Sequence, residues 1–297
     1  MAEPLKEMFN PNVVRTLGTM LRSSWSAFDT AAFQRDALRG LADLELLPRA
    51  RHIAAAIATH LPSDPARALD IIIAALPTPP TVEENHDVTS FLYMPLTIYV
   101  SEHGLGEFDK AMQANYELTK RFTAEFSIRP FLVHHEERTL ALLHAWTEDA
   151  DHHVRRLVSE GTRPRLPWAP RLPQFQRDPK PVLALLERLK DDPSLYVRRS
   201  VANNLNDIGK DNLDVLVSTA SRWLKGASED RQWVVRHALR SAIKRGEPSA
   251  FAVLGYDTPA AVAVTSVTID PPVVPIGSSV RVKCTVTNTT SEKADVL

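Results

Sequence analysis

The chain has 297 residues and a formal net charge of −1, with 44% hydrophobic and 24% charged residues, which is ordinary for a globular protein of one large domain or two smaller ones. Its single cysteine, Cys284, excludes an internal disulfide and a cysteine-based zinc motif. Neither a secretory leader nor an apolar run of about 18 residues is recognisable, so we expect a cytoplasmic protein without a membrane contact.

Charge is distributed unevenly along the chain. Residues 1–150 carry a net charge of −7, residues 151–250 carry +7, and residues 251–297 carry −1. A basic segment of this kind is typical of a protein that binds a phosphate backbone. A solvated basic helix face would produce the same numbers, so charge alone leaves both interpretations open.

The N-terminal half is predicted to be helical, because its apolar residues recur every three or four positions. Asp29 is a candidate N-cap, Gly40 a candidate helix break, and Pro130 a candidate first-turn residue of a later helix. Between these helices, residues 77–90 are rich in proline and acidic residues, and this composition predicts a linker.

Three Val-Arg pairs mark a repeat in the basic segment. They lie at 154–155, 197–198 and 235–236, separated by 43 and 38 residues. A period near 40 residues is typical of two-helix HEAT-type repeats, in which each unit buries its apolar face only against its neighbours. We therefore predict an all-α fold, a right-handed α-solenoid of HEAT-like repeats. Within two of the pairs, Arg155 and Arg198 are expected to bind an aspartate of the adjacent repeat.

The chain changes character after residue 256. Val280, Val282, Cys284 and Val286 alternate with polar residues, a period that predicts a half-buried β-strand. These strands resemble the first ones of an immunoglobulin-like sandwich, which needs about 100 residues. The remaining residues are too few, so we expect the chain to be a truncated form of a longer protein.

Three strings of the sequence together resemble one family. They are DHHVRRLVSEGTRPRLPWAP at 151–170, FSIRPFL at 126–132 and SVANNLNDIGKDN at 200–212. On these strings the chain resembles the AlkC-type DNA glycosylases of alkylation repair, which are similar to the AlkD family. The resemblance covers nearly the whole chain. It implies a HEAT-like repeat glycosylase domain over residues 1–256 and the incomplete start of an immunoglobulin-like domain over residues 257–297.

The resemblance also implies an activity. The enzyme would be monofunctional and would hydrolyse the N-glycosidic bond of cationic N-alkylated bases, 3-methyladenine and also 3-methylcytosine, to initiate base excision repair. The family is expected to bend duplex DNA and attack the lesion while it stays stacked, whereas most glycosylases flip the target base into a pocket. We expect a monomer that needs no cofactor and acts on duplex DNA at the bacterial nucleoid.

Acidic residues inside a basic surface are the pattern that this chemistry requires, because cleavage leaves positive charge on the sugar that carboxylates stabilise. Glu160 lies four residues after Arg156 on one helix face, although a plain surface ion pair has the same spacing. Asp207 precedes Gly209, which we expect to end the helix, so this acid would oppose the helix dipole. The family pattern implies that Glu160, Asp207 and Glu125 are the catalytic carboxylates.

Trp168 lies in the proline-framed string RPRLPWAP, which would hold its indole against a cationic base for about 0.5–2 kcal/mol of cation–π attraction. Packing beneath the loop is the alternative role for this side chain. Six other basic residues are expected to contact phosphates with little dependence on DNA sequence. The predicted phosphate ligands are Arg156, Arg163, Arg165, Arg199, Arg240 and Lys244.

Two pairs of adjacent histidines, 134–135 and 152–153, are candidate metal ligands. Neighbouring helix positions point about 100° apart, and the spacing indicates no third ligand, so we predict no metal site. The alternative to an enzyme is a non-catalytic HEAT-like scaffold that binds DNA or an acidic protein. Such a binder would not need carboxylates inside its basic surface.

Overall fold

A computed structural model describes residues 4–79, 88–256 and 262–291 of the chain. The described residues are mostly helical, as predicted, and the chain divides into two compact units, residues 1–239 and 240–297. Most of the segment predicted as a linker, residues 80–87, lies outside the described residues, as do residues 257–261 and 292–297 of the predicted β segment.

The first unit is built from α-helices joined by short loops and 3-10 turns. The turns span Leu5–Met8, Leu41–Asp43 and Val88–Tyr93. The helices are α1 (Pro11–Ser24), α2 (Thr30–Leu38), α3 (Leu46–His60), α4 (Pro65–Ala75), α5 (Met94–His103), α6 (Phe108–Thr119), α7 (Arg129–His134), α8 (Glu136–Trp146), α9 (His152–Gly161), α10 (Pro173–Arg177), α11 (Lys180–Leu189), α12 (Leu195–Asp211), α13 (Leu213–Leu224) and α14 (Glu229–Lys244), the last of which continues into the second unit.

Local signals place several helix ends where the sequence predicts them. The Asp29 side chain accepts a 3.0 Å hydrogen bond from the Ala32 amide at the start of α2. Gly40 follows α2 with a φ of 71°, a left-handed conformation that glycine adopts without steric cost. Pro130 lies in the first turn of α7, where its missing amide hydrogen would have no helical partner.

Helices α9, α11 and α12 pack together and form the frame of the candidate site. Val154 and Leu157 on α9, and Val201 and Leu205 on α12, are completely buried. Each fully buried side chain of this size contributes about 1.5–3 kcal/mol through the hydrophobic effect. The polar residues on the remaining face of α9 are therefore held at a fixed position relative to those of α12.

An ion-pair ladder links successive repeats, as predicted from the Val-Arg pairs. The Arg155 guanidinium donates two hydrogen bonds to the Asp192 carboxylate, at 2.6 and 3.0 Å. One repeat further, Arg198 donates to Asp230 at 2.8 Å. The structural roles predicted for Arg155 and Arg198 are confirmed.

Asp192→Asn is expected to lower the free energy of unfolding by about 3 kcal/mol, because Arg155 would lose its partner in a largely buried ion pair. Asp191→Asn is the matched control, since Asp191 pairs with Arg231 at the surface with 43% of its side chain exposed. The control should lose less than about 1 kcal/mol. Chemical denaturation of both variants measures the difference. Equal losses would show that the buried Arg155–Asp192 pair stabilises the fold no more than a surface ion pair does.

The prediction that Gly209 ends a helix is wrong, because α12 continues to Asp211. A Cβ atom at Gly209 would lie only 2.9 Å from the Cβ atom of the buried Leu216 on α13. The glycine permits two helices to approach closely. Asp207 consequently lies within the helix and does not oppose the helix dipole as a terminal residue would.

The second unit begins in α14, where Arg240 is half-buried and Lys244 is exposed, and continues through α15 (Pro248–Val253). Strands β1 (Val262–Asp270) and β2 (Arg281–Asn288) then form an antiparallel pair in which Val267 is opposite Cys284. The predicted strand is present, but the prediction that it is half-buried is wrong, since every residue of β2 is exposed among the described residues.

The change from helix to strand falls between Val253 and Val262, on either side of the predicted domain boundary at residue 256. That boundary, the immunoglobulin-like character of the strands and the right-handed path of the solenoid stay predictions. In the part of the chain that the structure describes, no helix combines the length and apolar character needed to cross a membrane.

Candidate active site

Three acidic residues that are distant in sequence come together in the first unit. Glu125 lies in the turn before α7, Glu160 lies on α9, and Asp207 lies on α12. Arg156 and Arg163 connect them through direct ion pairs. We call these five residues the carboxylate cluster.

Glu160 is the centre of the carboxylate cluster. Its Oε1 atom accepts a 2.6 Å hydrogen bond from Arg163 and lies 3.6 Å from Arg156, while its Oε2 atom accepts a 2.6 Å bond from the Ser200 hydroxyl. Burial would raise the pKa of Glu160, but the two guanidinium charges and the Ser200 bond hold that pKa below its usual value. Glu160 is therefore an ionised carboxylate whose two oxygen atoms both have protein partners.

Arg163 bridges Glu160 to Asp207. Its Nε atom donates to Asp207 Oδ2 at 2.8 Å, and Lys210 donates to the other carboxylate oxygen at 2.7 Å. The Asp207 side chain is fully buried and Arg163 is nearly so, and the neighbouring carboxylates raise the pKa of Arg163 despite its burial. Asp207 thus contacts protein groups rather than solvent in this arrangement.

Glu125 is the most exposed of the three carboxylates. Its Oε2 atom accepts hydrogen bonds from Arg156 and from the Thr123 hydroxyl, the latter at 2.8 Å. The Arg156 guanidinium also lies over the Tyr196 ring, 5.1 Å from its centroid. Among the described residues, Glu125 Oε1 accepts no hydrogen bond, and 13% of the side chain is exposed. One oxygen of this carboxylate is available to a ligand.

Arg129 is a buried residue of the site that the sequence predictions omit, although it lies in the FSIRPFL string. Its guanidinium donates to the carbonyl oxygens of Gly161 and Arg163, both at 2.9 Å, and to that of Pro170 at 2.5 Å. Burial and the Arg163 charge lower the pKa of Arg129 to about 10, so it stays protonated at neutral pH. Arg129 therefore hydrogen-bonds to the backbone at both ends of the loop that carries Trp168.

Trp168 projects from that loop into solvent. Its side chain is 70% exposed and its φ is 65°, a left-handed conformation that costs a non-glycine residue about 1–2 kcal/mol. The side chain is not packed beneath the loop. It lines a cavity of about 360 Å³ together with Phe126 and the exposed Val133. The indole therefore contributes little buried area to the fold, and its backbone conformation is strained.

The predicted phosphate ligands of the first unit occupy different environments. Arg156 and Arg163 lie inside the carboxylate cluster, where their guanidinium groups already pair with carboxylates. Arg165 is partly exposed and pairs with Asp211, whose carboxylate accepts a 2.8 Å bond from its Nε atom. Arg199 is exposed on α12 and forms no ion pair within the described residues.

His152 and His153 do not point apart, so the prediction that one metal ion could not contact both is wrong. Ligand atoms of Asp151, His152 and His153 all lie within 4.8 Å of one another, and the two imidazole centroids are 4.2 Å apart. The pair begins α9, where Asp151 is the N-cap and supplies the third group, so side-chain rotation brings together residues that a regular helix would separate. This set includes only three ligands, and its carboxylate already caps the helix by accepting from the His153 amide.

No family model matches the chain, but comparisons with known proteins find relatives that match nearly all of it. The uncharacterised protein YhaZ of Bacillus subtilis strain 168 is 36% identical over 279 residues, covering 93% of this chain and 75% of YhaZ. The solved structure of Pseudomonas fluorescens alkylpurine DNA glycosylase AlkC, bound to DNA containing an abasic-site analogue, is also 36% identical. It superposes with a TM-score of 0.86 and covers 97% of this chain and 78% of that one.

The fold and the site define a helical-repeat protein in which three carboxylates from separate segments are paired through two arginines. The likeness to the Pseudomonas fluorescens protein, at 36% identity, extends over nearly the whole chain. The chain belongs to the AlkC family of DNA glycosylases.

Proposed function

We propose that this protein is a DNA glycosylase that removes cationic N-alkylated bases from duplex DNA and so initiates base excision repair. The carboxylate cluster is the observation that carries the proposal, because three acids are held together by arginines and two of them, Glu160 and Asp207, lie within the segment of net charge +7. Membership of the AlkC family supports it, since the Pseudomonas fluorescens relative is an alkylpurine DNA glycosylase bound to DNA that contains an abasic-site analogue.

The reaction follows from the charge of the substrate. When the bond between C1′ and the base nitrogen breaks, its electron pair moves onto the base and neutralises the positive ring, so the leaving group needs no acid. The sugar becomes an oxocarbenium-like cation that carboxylates stabilise. Water then adds to C1′ and loses a proton, which leaves an abasic site and a free base. The protein therefore has to stabilise one positive charge and position one water molecule.

The geometry supports different roles in the reaction for Glu125, Glu160 and Asp207. Glu125 has a free oxygen and the greatest exposure, so we assign it the position nearest the sugar and the water. Both Glu160 oxygens are occupied and Asp207 is fully buried, so these two acids supply negative charge through a fixed network. Arg156 and Arg163, predicted as phosphate ligands, are assigned instead to holding the carboxylates in place.

The finer features of the proposal come from the family resemblance. The preferred lesion is 3-methyladenine, with 3-methylcytosine as a further substrate, and the lesion is attacked without base flipping. Trp168 faces the lesion, and the basic side chains outside the cluster contact phosphates, namely Arg165, Arg199, Arg240 and Lys244. The enzyme is a monomer, and residues 257–297 begin an immunoglobulin-like domain that contributes to DNA binding.

Substrate range tests the proposal. The protein should release 3-methyladenine from methylated duplex DNA, but it should leave hypoxanthine in place, because a neutral base is a poor leaving group without acid assistance. Chromatography of the released bases measures both reactions. Efficient release of hypoxanthine would contradict the mechanism without flipping. Binding of DNA without release of any base would favour a non-catalytic scaffold.

Trp168→Asn is expected to reduce excision about tenfold while leaving the free energy of unfolding unchanged or higher by up to about 1 kcal/mol. Asparagine tolerates the left-handed backbone that strains Trp168, whereas the cation–π contact to the lesion disappears. Single-turnover excision and chemical denaturation measure the two effects. A loss of stability in step with activity would show that Trp168 is a structural residue.

A further inference from the structure

A buried pair of serines lies beside Glu160, at the carboxylate oxygen to which Arg163 does not donate. Ser200 on α12 donates to Glu160 Oε2 at 2.6 Å, and its hydroxyl oxygen lies 2.7 Å from the hydroxyl of Ser159, which donates to it. Ser159 is completely buried and Ser200 is 2% exposed. Solvent therefore does not compete for these hydroxyl groups.

We propose that Ser200 is a positioning residue for the excision reaction, and that its hydroxyl fixes the orientation and ionised state of Glu160. The inference rests on the proposed glycosylase function. A carboxylate on a flexible side chain can rotate about its last bond, and Arg163 restrains only Oε1. The Ser200 bond restrains Oε2 from the neighbouring helix, so two helical repeats together determine where the negative charge of Glu160 lies.

The direction of the hydrogen bond also matters. A hydroxyl that donates to a carboxylate favours the charged form, and such a bond is stronger than one between neutral groups. The charged groups around Glu160 come from each element near it: Arg156 from α9, Arg163 from the following loop, Asp207 from α12, and Glu125 and Arg129 from the segment before and within α7. Ser200 is the neutral donor within this set.

Ser200→Ala is expected to lower the rate constant for excision about 10- to 100-fold, the usual effect of losing a hydrogen bond to a buried charge, with little change in DNA affinity. The pKa of Glu160 should rise, because the charged form loses a donor. Excision should then fail at a higher pH as the solution is acidified. Ser200→Cys, which keeps a weak donor of similar size, should recover part of the rate.

Ser159→Ala is the matched control, since it removes a similarly buried hydroxyl that contacts Ser200 and not the Glu160 carboxylate. Its rate should stay within about threefold of the unsubstituted protein. A 13C NMR titration of Glu160 measures the pKa without relying on activity. If the unsubstituted protein excises and Ser200→Ala excises at the same rate with the same pH profile, the inference is wrong. If the unsubstituted protein does not excise, the proposed function is wrong.

Discussion

Glu160→Gln is expected to reduce base excision by about 100- to 1,000-fold while DNA affinity changes by less than about threefold. Removing one preorganised group that stabilises transition-state charge has an effect of this size in other enzymes. Glutamine keeps the shape of the side chain but not the charge between Arg156 and Arg163. Single-turnover excision of methylated duplex DNA measures the rate, and fluorescence anisotropy measures the binding.

Glu148→Gln is a control of identical chemistry, because Glu148 is 75% exposed and pairs with Arg188 at the surface. It should leave both excision and affinity unchanged. A parallel loss of excision and affinity in Glu160→Gln, together with a lower melting temperature, would reassign Glu160 to a structural role. The Glu160 carboxylate would then not belong to the chemistry.

Arg163→Met is expected to lower the free energy of unfolding by about 3–5 kcal/mol and to abolish most excision. The substitution removes the bridge between Glu160 and Asp207 and leaves two buried carboxylates without their main partner. Urea denaturation at neutral pH measures the stability. Excision, measured where the variant is still folded, tests whether the arrangement of the acids is needed.

The pH dependence of that stability difference has a defined sign. The folded-state pKa of Glu160 is held below its ordinary value of 4.5, so its ion pairs stabilise the native protein above that pH. Their contribution is lost as the pH falls through the lowered pKa. The difference between the unsubstituted protein and Arg163→Met should therefore shrink in acid. If the difference in free energy of unfolding stays constant across pH, Arg163 stabilises the protein through packing and not through its ion pairs.

Arg165→Met is the comparison for Arg163→Met. Arg165 pairs with Asp211 at a partly exposed position, so its loss should cost less than about 1 kcal/mol of stability. As a predicted phosphate ligand, it should nevertheless bind DNA more weakly, with a smaller dependence of affinity on salt. Arg163 and Arg165 lie two positions apart in sequence. Loss of Arg163 should mainly reduce stability and excision, whereas loss of Arg165 should mainly reduce DNA affinity.

Periodic and local features of this chain could be predicted from its sequence. The repeat of Val-Arg pairs places Arg155 against Asp192, because each repeat contacts the next one. The four-residue spacing of Arg156 and Glu160 puts both on one helix face, and their charged groups lie 3.6 Å apart. These contacts depend on spacing within one helix or between neighbouring repeats of similar sequence pattern.

Contacts made by loops and close helix packing could not be predicted in the same way. Arg163 follows α9 and reaches Asp207, 44 positions away, only because the loop turns back over α12. Arg129 is 41 residues from Pro170, and no spacing rule relates the two. The sequence alone does not distinguish a glycine that permits close helix packing from one that ends a helix. The prediction for Gly209 is wrong for this reason. Such contacts depend on tertiary geometry.

The most direct test of the account is a time course of free 3-methyladenine released from methylated duplex DNA by an excess of the intact protein. We predict that the base appears far above the spontaneous rate, together with an equal amount of abasic sites in unbroken strands. Release at the spontaneous rate, under conditions where the protein demonstrably binds the duplex, would contradict the account. The carboxylate cluster would then be part of a DNA-binding scaffold without catalytic activity.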